Sequence, residues 1–174
     1  MPKELFHPGA NHCVDLVVVA DDDVLLIRRG GKAGHGEWAL PGGFVNSKTQ
    51  KGEPFIPSET WTEAAVRELK EETGLIVNVS ELTALPTMKS PRRDRSPRDP
   101  RETAEAFTVS HPFLIQVDRQ KLNTAKAGDD AKEVGISKLY EAAKNLRFAD
   151  HNEITENAMY ELERMQDKPT PLDV

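Results

Sequence analysis

The sequence contains a single cysteine, Cys13, and few aromatic residues, which make up 6% of its 174 positions. A lone cysteine cannot form a disulfide within the chain, so a disulfide-stabilised scaffold is excluded. No apolar run approaches the roughly 18 residues that a membrane-spanning helix needs. The first ten residues also lack the basic and apolar stretches of a secretory signal. We therefore expect a soluble, cytoplasmic protein with no membrane partner.

Two common phosphate-binding patterns, GxGxxG and the Walker sequence, are also missing, so the glycine-rich segment 30–36 does not by itself indicate a nucleotide cradle. The net charge of −6 disfavours generic binding to nucleic acid, and no nucleic-acid partner is expected. The charge is unevenly distributed, however. Residues 89–101 carry six basic side chains against two aspartates, whereas the region around residue 70 is rich in glutamate. This distribution suggests a metal site beside a phosphate site.

The hydrophobic and charged fractions, 37% and 30%, are typical of one globular domain, which we place at residues 1–168, followed by a flexible tail at 169–174. Apolar and β-branched runs predict strands at 14–20, 24–28, 38–40, 75–79 and 107–117, the last interrupted near Pro112. The polar, proline-containing segment 46–58 is expected to be a loop. Ile154, Ala158, Leu162 and Met165 recur at helical spacing and predict an amphipathic C-terminal helix.

The strongest helix signal covers residues 61–73. Thr60 and Glu63 form a capping-box pattern, and Gly74 stands where a C-cap belongs. On this helix three glutamates fall within an arc of roughly 100°: Glu68, Glu71 and Glu72. Like charges at this spacing repel by about a few tenths of a kcal/mol per pair, so they need either a bound cation or an exposed surface. Mg²⁺ prefers such oxygen ligands, and a solvated acidic helix face is the alternative.

This helix and its flanks resemble the C-terminal portion of the Nudix box: Glu59, seven further residues, then Arg67-Glu68-Leu69-Lys70-Glu71-Glu72-Thr73-Gly74-Leu75. The resemblance implies an α/β (α+β) fold, the Nudix α/β/α sandwich with a mixed central sheet, whose box holds divalent metal against a diphosphate. It implies metal ligation by four glutamates: Glu59, Glu68, Glu71 and Glu72. The expected ion is Mg²⁺, with Mn²⁺ as a substitute.

Catalytic roles follow from the same resemblance and are expected for Arg67, Glu68, Glu71 and Glu72. Glu68 is either a further metal ligand or the base that activates water, and Arg67 orients the acidic cluster through a salt bridge. The spacing upstream departs from the family pattern, because fifteen residues rather than five separate Gly43 from Glu59. An insertion accounts for the difference. Gly52-Glu53 is an alternative anchor, but Glu59 keeps the seven-residue spacing to Arg67 and is preferred.

Segments outside the box resemble the ADP-ribose pyrophosphatase subgroup. They include Asp15 with the apolar residues after it, 25–29, 38–45, 98–101, 128–131 and Asp150-His151. The resemblance implies hydrolysis of ADP-ribose, a small nucleotide, to AMP and ribose 5-phosphate. NADH, a dinucleoside polyphosphate, a nucleotide sugar or a damaged nucleoside triphosphate are alternative substrates. A non-catalytic ADP-ribose sensor is a further alternative, as is an RNA-end hydrolase, which the acidic net charge disfavours.

Substrate contacts are expected from four residues in these segments: Arg28, Gly43, Arg98 and Arg101. Arginine suits a diphosphate because its guanidinium presents a planar fork to phosphate oxygens. For Trp38 a core position is preferred over stacking on a base. For His151 a structural role at the start of a helix is preferred over a functional one. A homodimer is left open, because nothing in the sequence defines a symmetric interface.

Overall fold

The computed structural model describes residues 5–89, 101–103, 105–128 and 131–168. Within these residues one mixed sheet contains eight strands: β1 (Gly9–Ala20), β2 (Asp23–Arg29), β3 (Trp38–Ala39), β4 (Gly42–Phe44), β5 (Leu82–Ala84), β6 (Met88–Lys89), β7 (Ala106–Gln116) and β8 (Ala131–Lys138). The main order is β3-β2-β1-β7-β5, with β4 paired to β1, β6 to β7 and β8 to β2. The long central strands β1 and β7 run parallel, and the other pairs are antiparallel.

Helices cover both faces of the sheet. In the described residues they are α1 (Trp61–Thr73), α2 (Arg119–Asn123), α3 (Leu139–Asn145) and α4 (His151–Gln166). Strand β1 shows why helices are needed on both faces of the sheet, since its buried side chains alternate between two apolar clusters, one on each face. Leu16 and Val18 pack in the cluster with α1 and α2, whereas Val17 packs in the cluster with α3 and α4. The expected α/β/α fold with a mixed sheet is confirmed.

Helix α1 forms as its caps predict. The Thr60 hydroxyl accepts from the Glu63 amide at 3.1 Å, the Glu63 carboxylate accepts from the Thr60 amide at 2.8 Å, and Gly74 ends the helix at φ 72°. Ala65 and Leu69 are fully buried against the sheet. The glutamates lie along one edge of the apolar face that these residues form. The predicted C-terminal helix is likewise present as α4, with Ile154 and Ala158 fully buried.

The long segment between Gly43 and Glu59 closes on itself. Its base is joined by a β-bridge between Ser47 and Pro57 and by a hydrogen bond from the Ser58 amide to the Asn46 carbonyl at 2.9 Å. No helix or named strand occurs between residues 46 and 58, as predicted for a loop. Because the insertion leaves and returns at the same place, it does not separate β4 from the residues just before α1.

Two strand predictions were wrong. Residues 75–79 do not form a strand: Leu75 and Val77 are buried while Ile76 is 64% exposed, but the segment pairs with no strand in the described part of the chain and leads into a 3-10 turn at Val79–Glu81. Alternate burial needs only an extended backbone, so it did not require a sheet. The expected interruption of β7 at Pro112 is also absent, because the proline carbonyl still accepts from the Leu85 amide at 2.9 Å.

The preferred core position of Trp38 was also wrong. The residue is 37% exposed, and its ring lies over Gly135 of β8, which pairs with β2 as β3 does. The side chain borders an open surface depression shared with Leu26 and α3, so part of it stays in contact with solvent. The short elements β4, β5, β6, α2 and α3 had no prediction at all, and neither did β8, whose exposed alternate positions weaken its apolar pattern. No helix among the described residues is long and apolar enough to cross a bilayer.

Candidate active site

A cavity of about 200 Å³ opens between the polar side of α1, strand β4 and the start of α4. Glu68 and Glu72 of α1 form one wall, and Gly42 and Gly43 of β4 lie beside them. Other lining residues include Asp15, Arg29, Arg101, Phe44, Phe148 and His151. The cavity therefore places three carboxylates and two guanidinium groups around one small volume.

Arg67 joins three of the predicted acidic residues. It holds Glu59 through two hydrogen bonds, Nε to Oε2 at 3.0 Å and Nη2 to Oε1 at 2.6 Å. Its Nη1 donates to Glu68 at 2.7 Å and to Glu71 at 3.0 Å. The paired arginine lowers the pKa of Glu59, and the carboxylates raise the pKa of Arg67. Glu53 makes no such contact, since it caps the Gln50 amide in the insertion.

Glu72 is the most deeply buried of these carboxylates, with 7% of the residue exposed. Its Oε2 accepts a hydrogen bond from the Gly42 amide at 2.8 Å. Burial raises the pKa of Glu72 to about 8, an effect that the Gly42 hydrogen bond opposes and the nearby Glu68 charge reinforces. Burial also raises the pKa of Glu68. These two poorly solvated carboxylates on one wall of the cavity would be stabilised by a cation bound beside them.

The two glycines of β4 allow this close packing. A Cβ atom on Gly43 would lie 2.5 Å from the carboxylate carbon and both carboxylate oxygens of Glu68. A Cβ atom on Gly42 would overlap the Val14 carbonyl oxygen and lie 3.0 Å from Oδ1 of Asp15. Any larger residue would therefore displace the sheet or an acidic side chain, which explains why the sequence has glycine at both positions.

Two arginines of the cavity wall stack on phenylalanine rings. The Arg29 guanidinium carbon lies 3.8 Å from the centroid of Phe148, and its Nε donates to the Ala33 carbonyl at 2.8 Å. The Arg101 guanidinium carbon lies 4.8 Å from the centroid of Phe44. Stacking on a ring restricts the orientation of each planar cation. The cavity lining thus includes two oriented guanidinium groups, whose planar geometry matches that of phosphate oxygens.

The remaining candidates fall elsewhere. Arg28, expected to contact substrate, is not among the described residues that line the cavity; its guanidinium group bonds the Gly36 carbonyl at 3.1 Å and lies 3.5 Å from Glu133. It projects from the opposite face of β2 to Arg29, as alternation along a strand requires. Glu71 is on the outer edge of the cluster, with 41% of its side chain exposed. Arg98 lies outside the described residues.

Comparison with known proteins shows the family to which this fold belongs. A family model described as the NUDIX domain matches residues 11–161. The chain belongs to the Nudix family. An ADP-ribose pyrophosphatase of Methanocaldococcus jannaschii is 39% identical over 153 residues, which cover 88% of this chain and 74% of that protein. The resemblance inferred from the Glu59–Leu75 pattern is therefore confirmed.

Solved Nudix structures share the architecture. A MutT/nudix family protein from Enterococcus faecalis superposes with a TM-score of 0.70 at 28% identity, covering 97% of this chain and 67% of that one. A bifunctional NMN adenylyltransferase/ADP ribose pyrophosphatase from Francisella tularensis, complexed with AMP and a Mn ion, gives a TM-score of 0.64 at 26% identity. That match covers 88% of this chain and 42% of the bifunctional chain.

Nudix hydrolases generally need divalent metal ions, and the carboxylates of this chain fit one. Among the described residues no three His, Cys, Asp or Glu side chains are arranged as a ready-made metal cluster. Arg67 lies between Glu59, Glu68 and Glu71 and forms an ion pair with a carboxylate oxygen of each. Glu68 and Glu72 nevertheless both face the cavity. One or two carboxylates together with substrate phosphates are a common donor set for Mg²⁺, so the residues present are compatible with such an ion.

Sequence reasoning missed several residues of the cavity. Arg29 and Phe148 were not named as site residues, and no pattern in the sequence pairs them. Asp15 was noted only as part of a family-like segment, although an acidic residue at the start of a valine-rich buried strand is itself a signal. His151 was expected to be structural. It does begin α4, but it also lines the cavity.

Proposed function

We propose that this chain is a Nudix pyrophosphohydrolase that cleaves the diphosphate bond of ADP-ribose to give AMP and ribose 5-phosphate, with Mg²⁺ as the working ion and Mn²⁺ as a substitute. The observation that carries the proposal is the cavity, whose lining combines half-buried Glu68 and buried Glu72 with the stacked side chains of Arg29 and Arg101. The choice of ADP-ribose rests on the 39% identity to the Methanocaldococcus jannaschii enzyme.

In this proposal Glu68 and Glu72 hold the divalent ion. Both carboxylates are poorly solvated, so a divalent cation held by them would lower the cost of their burial. When bound, such an ion polarises phosphoryl oxygens and lowers the pKa of a coordinated water. Glu71, exposed beside Glu68, supplies a further oxygen near the rim of the cluster. Glu68 is alternatively the base that activates water, since burial raises the pKa of its carboxyl and makes the carboxylate a stronger proton acceptor.

Arg67 and Glu59 are proposed to act as a fixed frame for this cluster. The two bonds between them hold the guanidinium group in one orientation, and its Nη1 then fixes the near oxygens of Glu68 and Glu71. Glu59 also accepts from the Asn46 amide at 2.8 Å, so both of its oxygens are engaged. We therefore assign Glu59 to positioning Arg67 in preference to direct metal ligation.

The substrate diphosphate is proposed to lie between the carboxylate wall and the stacked arginines. Arg29 and Arg101 then bind its non-bridging oxygens, and Arg98 remains a proposed contact from the sequence. Gly43 remains a proposed substrate contact through its backbone, because the space where a side chain would lie is filled by the Glu68 carboxylate. Arg28 has no role in this arrangement, since its guanidinium group is bonded on the other face of the sheet.

We further propose that residues 1–168 act as one folded unit and that the protein works on small nucleotides in the cytoplasm. Its lone cysteine suits a reducing compartment. The acidic net charge of −6 favours a small substrate over a nucleic-acid chain.

A substrate panel tests the proposal. The purified protein is incubated with ADP-ribose, NADH, diadenosine polyphosphates, nucleotide sugars and nucleoside triphosphates, with Mg²⁺ or with a chelator, and products are separated by chromatography. We expect Mg²⁺-dependent AMP from ADP-ribose at the highest kcat/KM of the panel. Glu72→Gln is the matched control, because it keeps the size and the Gly42 acceptor but removes the charge. Tight ADP-ribose binding with no product from any compound would instead indicate a sensor.

A further inference from the structure

A buried polar chain crosses the sheet next to the cavity. The Ser110 hydroxyl of β7 donates to Oδ2 of Asp15 on β1 at 2.5 Å. Oδ1 of the same carboxylate lies 3.1 Å from Nε2 of His151, the first residue of α4. All three residues are buried, with 0%, 6% and 2% of their surfaces exposed. Buried polar groups are costly unless they are paired, and these pair with one another.

The chain continues through the other nitrogen of the imidazole. Nδ1 of His151 accepts a hydrogen bond from the Leu40 amide at 3.0 Å. Because Nδ1 accepts, it carries no proton, and the tautomer has its proton on Nε2, on the side of Asp15. Asp15 therefore selects the tautomer that can hold the Leu40 amide. Asp15 thus fixes the orientation of the His151 ring, since in the opposite tautomer the Nδ1–H group would face the Leu40 N–H group and no hydrogen bond could form.

Leu40 leads directly into the backbone that holds a catalytic carboxylate. Two residues later, the Gly42 amide donates to Glu72 at 2.8 Å, and between them the Pro41 carbonyl accepts from the Leu16 amide at 2.8 Å. The segment 40–42 is thus fixed from α4 at one end and bonded to α1 at the other. If segment 40–42 shifts, the Gly42 amide cannot readjust to keep its hydrogen bond to Glu72, because Gly42 already packs against Val14 and Asp15.

We propose that His151, held by Asp15 and Ser110, is a positioning residue for Glu72 and acts through the segment 40–42. The proposal rests on the proposed function, since its kinetic consequence needs a hydrolase. The proposal gives the buried His151 side chain a role beyond folding. Helix α4 is already packed by Ile154 and Ala158, so folding alone does not require a histidine at its start, where an apolar residue would serve.

Two substitutions of His151 separate its two nitrogens. His151→Asn places an acceptor close to the position of Nδ1 and keeps the Leu40 hydrogen bond, whereas His151→Gln places a donor close to Nε2 and loses it. Thr155→Val is the matched control, because it removes a buried hydrogen bond to the His151 carbonyl within α4 and keeps the hydrogen bond from the Leu40 amide to the His151 ring. For each protein, kcat and KM for ADP-ribose, the melting temperature and the exchange rates of the Leu40 and Gly42 amides without metal are measured.

We expect His151→Gln to lower kcat by at least about tenfold with KM within about threefold, and to speed exchange of both amides. His151→Asn should restore kcat to within about threefold of the wild type, and Thr155→Val should leave it unchanged at a similar melting temperature. Equal kcat in the Asn and Gln variants, or losses that follow melting temperature across all three, would overturn the proposal.

Amide exchange keeps this test separate from the proposed function. If the wild type hydrolyses no compound of the substrate panel, the proposed function fails, but exchange at Gly42 still reports whether His151 orders the segment. Faster exchange at Leu40 with no change at Gly42 would also overturn the proposal, because the two ends of the segment would then be uncoupled.

Discussion

Replacing Gly43 by alanine is expected to damage catalysis more than stability. The added Cβ atom would lie 2.5 Å from the carboxylate of Glu68, whereas ordinary contacts begin at 3.4 Å. The carboxylate must therefore move by about 0.9 Å, the difference between these distances. It cannot move freely, since Arg67 holds it at 2.7 Å and only 13% of the side chain is exposed.

A displacement near 1 Å in a catalytic group can cost about 100-fold in rate, which corresponds to about 2.7 kcal/mol in the activation free energy. We therefore expect kcat for ADP-ribose to fall by about that factor in Gly43→Ala. The melting temperature should fall only slightly, because the clash is with the end of one side chain at a cavity wall. Steady-state kinetics in saturating Mg²⁺ and thermal unfolding provide the two measurements.

Gly135→Ala is the control for an introduced clash. Its Cβ atom would lie 2.8 Å from the Trp38 ring, outside the cavity, and Trp38 is 37% exposed, so its ring is able to move aside. We expect kcat within about twofold of the wild type. The reasoning is refuted if Gly43→Ala keeps kcat within about threefold of the wild type, or if both glycine variants lose activity to the same extent.

Three further outcomes are expected. Glu72→Gln should lose at least about 100-fold in kcat with unchanged circular dichroism, because an amide cannot replace a carboxylate oxygen on a hard cation; near-normal activity would remove Glu72 from the site. Arg29→Met should raise KM for ADP-ribose about tenfold with kcat within about threefold, and unchanged KM would exclude the Arg29 contact. Burial and the neighbouring His12 lower the pKa of His111 to about 4. The unfolded chain then binds more protons than the folded one below about pH 6.5, so the free energy of unfolding should fall by at most about 2 kcal/mol from pH 7 to pH 5. Urea unfolding of His111→Asn should show a flatter dependence, and an equal slope would contradict the assignment.

The sequence predicted the part of the site that is local in the chain. The capping residues Thr60 and Glu63 and the terminator Gly74 act within one helix, so their pattern determines α1 without knowledge of the rest of the fold. The contact of Arg67 with Glu71 follows from the same helical spacing. Spacing to Arg67 also favoured Glu59 over Glu53 as the leading glutamate of the box, although the hydrogen bonds between Glu59 and Arg67 themselves were not predicted.

Residues brought together by the sheet could not be predicted in this way. Asp15 and His151 are separated by most of the chain and meet only because α4 starts where β1 passes the cavity. Arg29 and Arg28 are adjacent in sequence, yet only the side of β2 decides which one faces the cavity, and a shift of one residue in register exchanges them. Residues 75–79 show the opposite error, since their alternation was real but found no partner strand.

The central claim is that the cavity binds a divalent ion and a diphosphate and cleaves ADP-ribose. The most direct measurement is quantification of AMP and ribose 5-phosphate released from ADP-ribose by the wild type and Glu72→Gln while Mg²⁺ is titrated in, removed with a chelator and restored. We predict equal amounts of the two products, formed by the wild type only when Mg²⁺ is present and recovered when it is restored, with little product from the variant. Product formation that persists in the chelator, or that is the same in both proteins, would contradict the account.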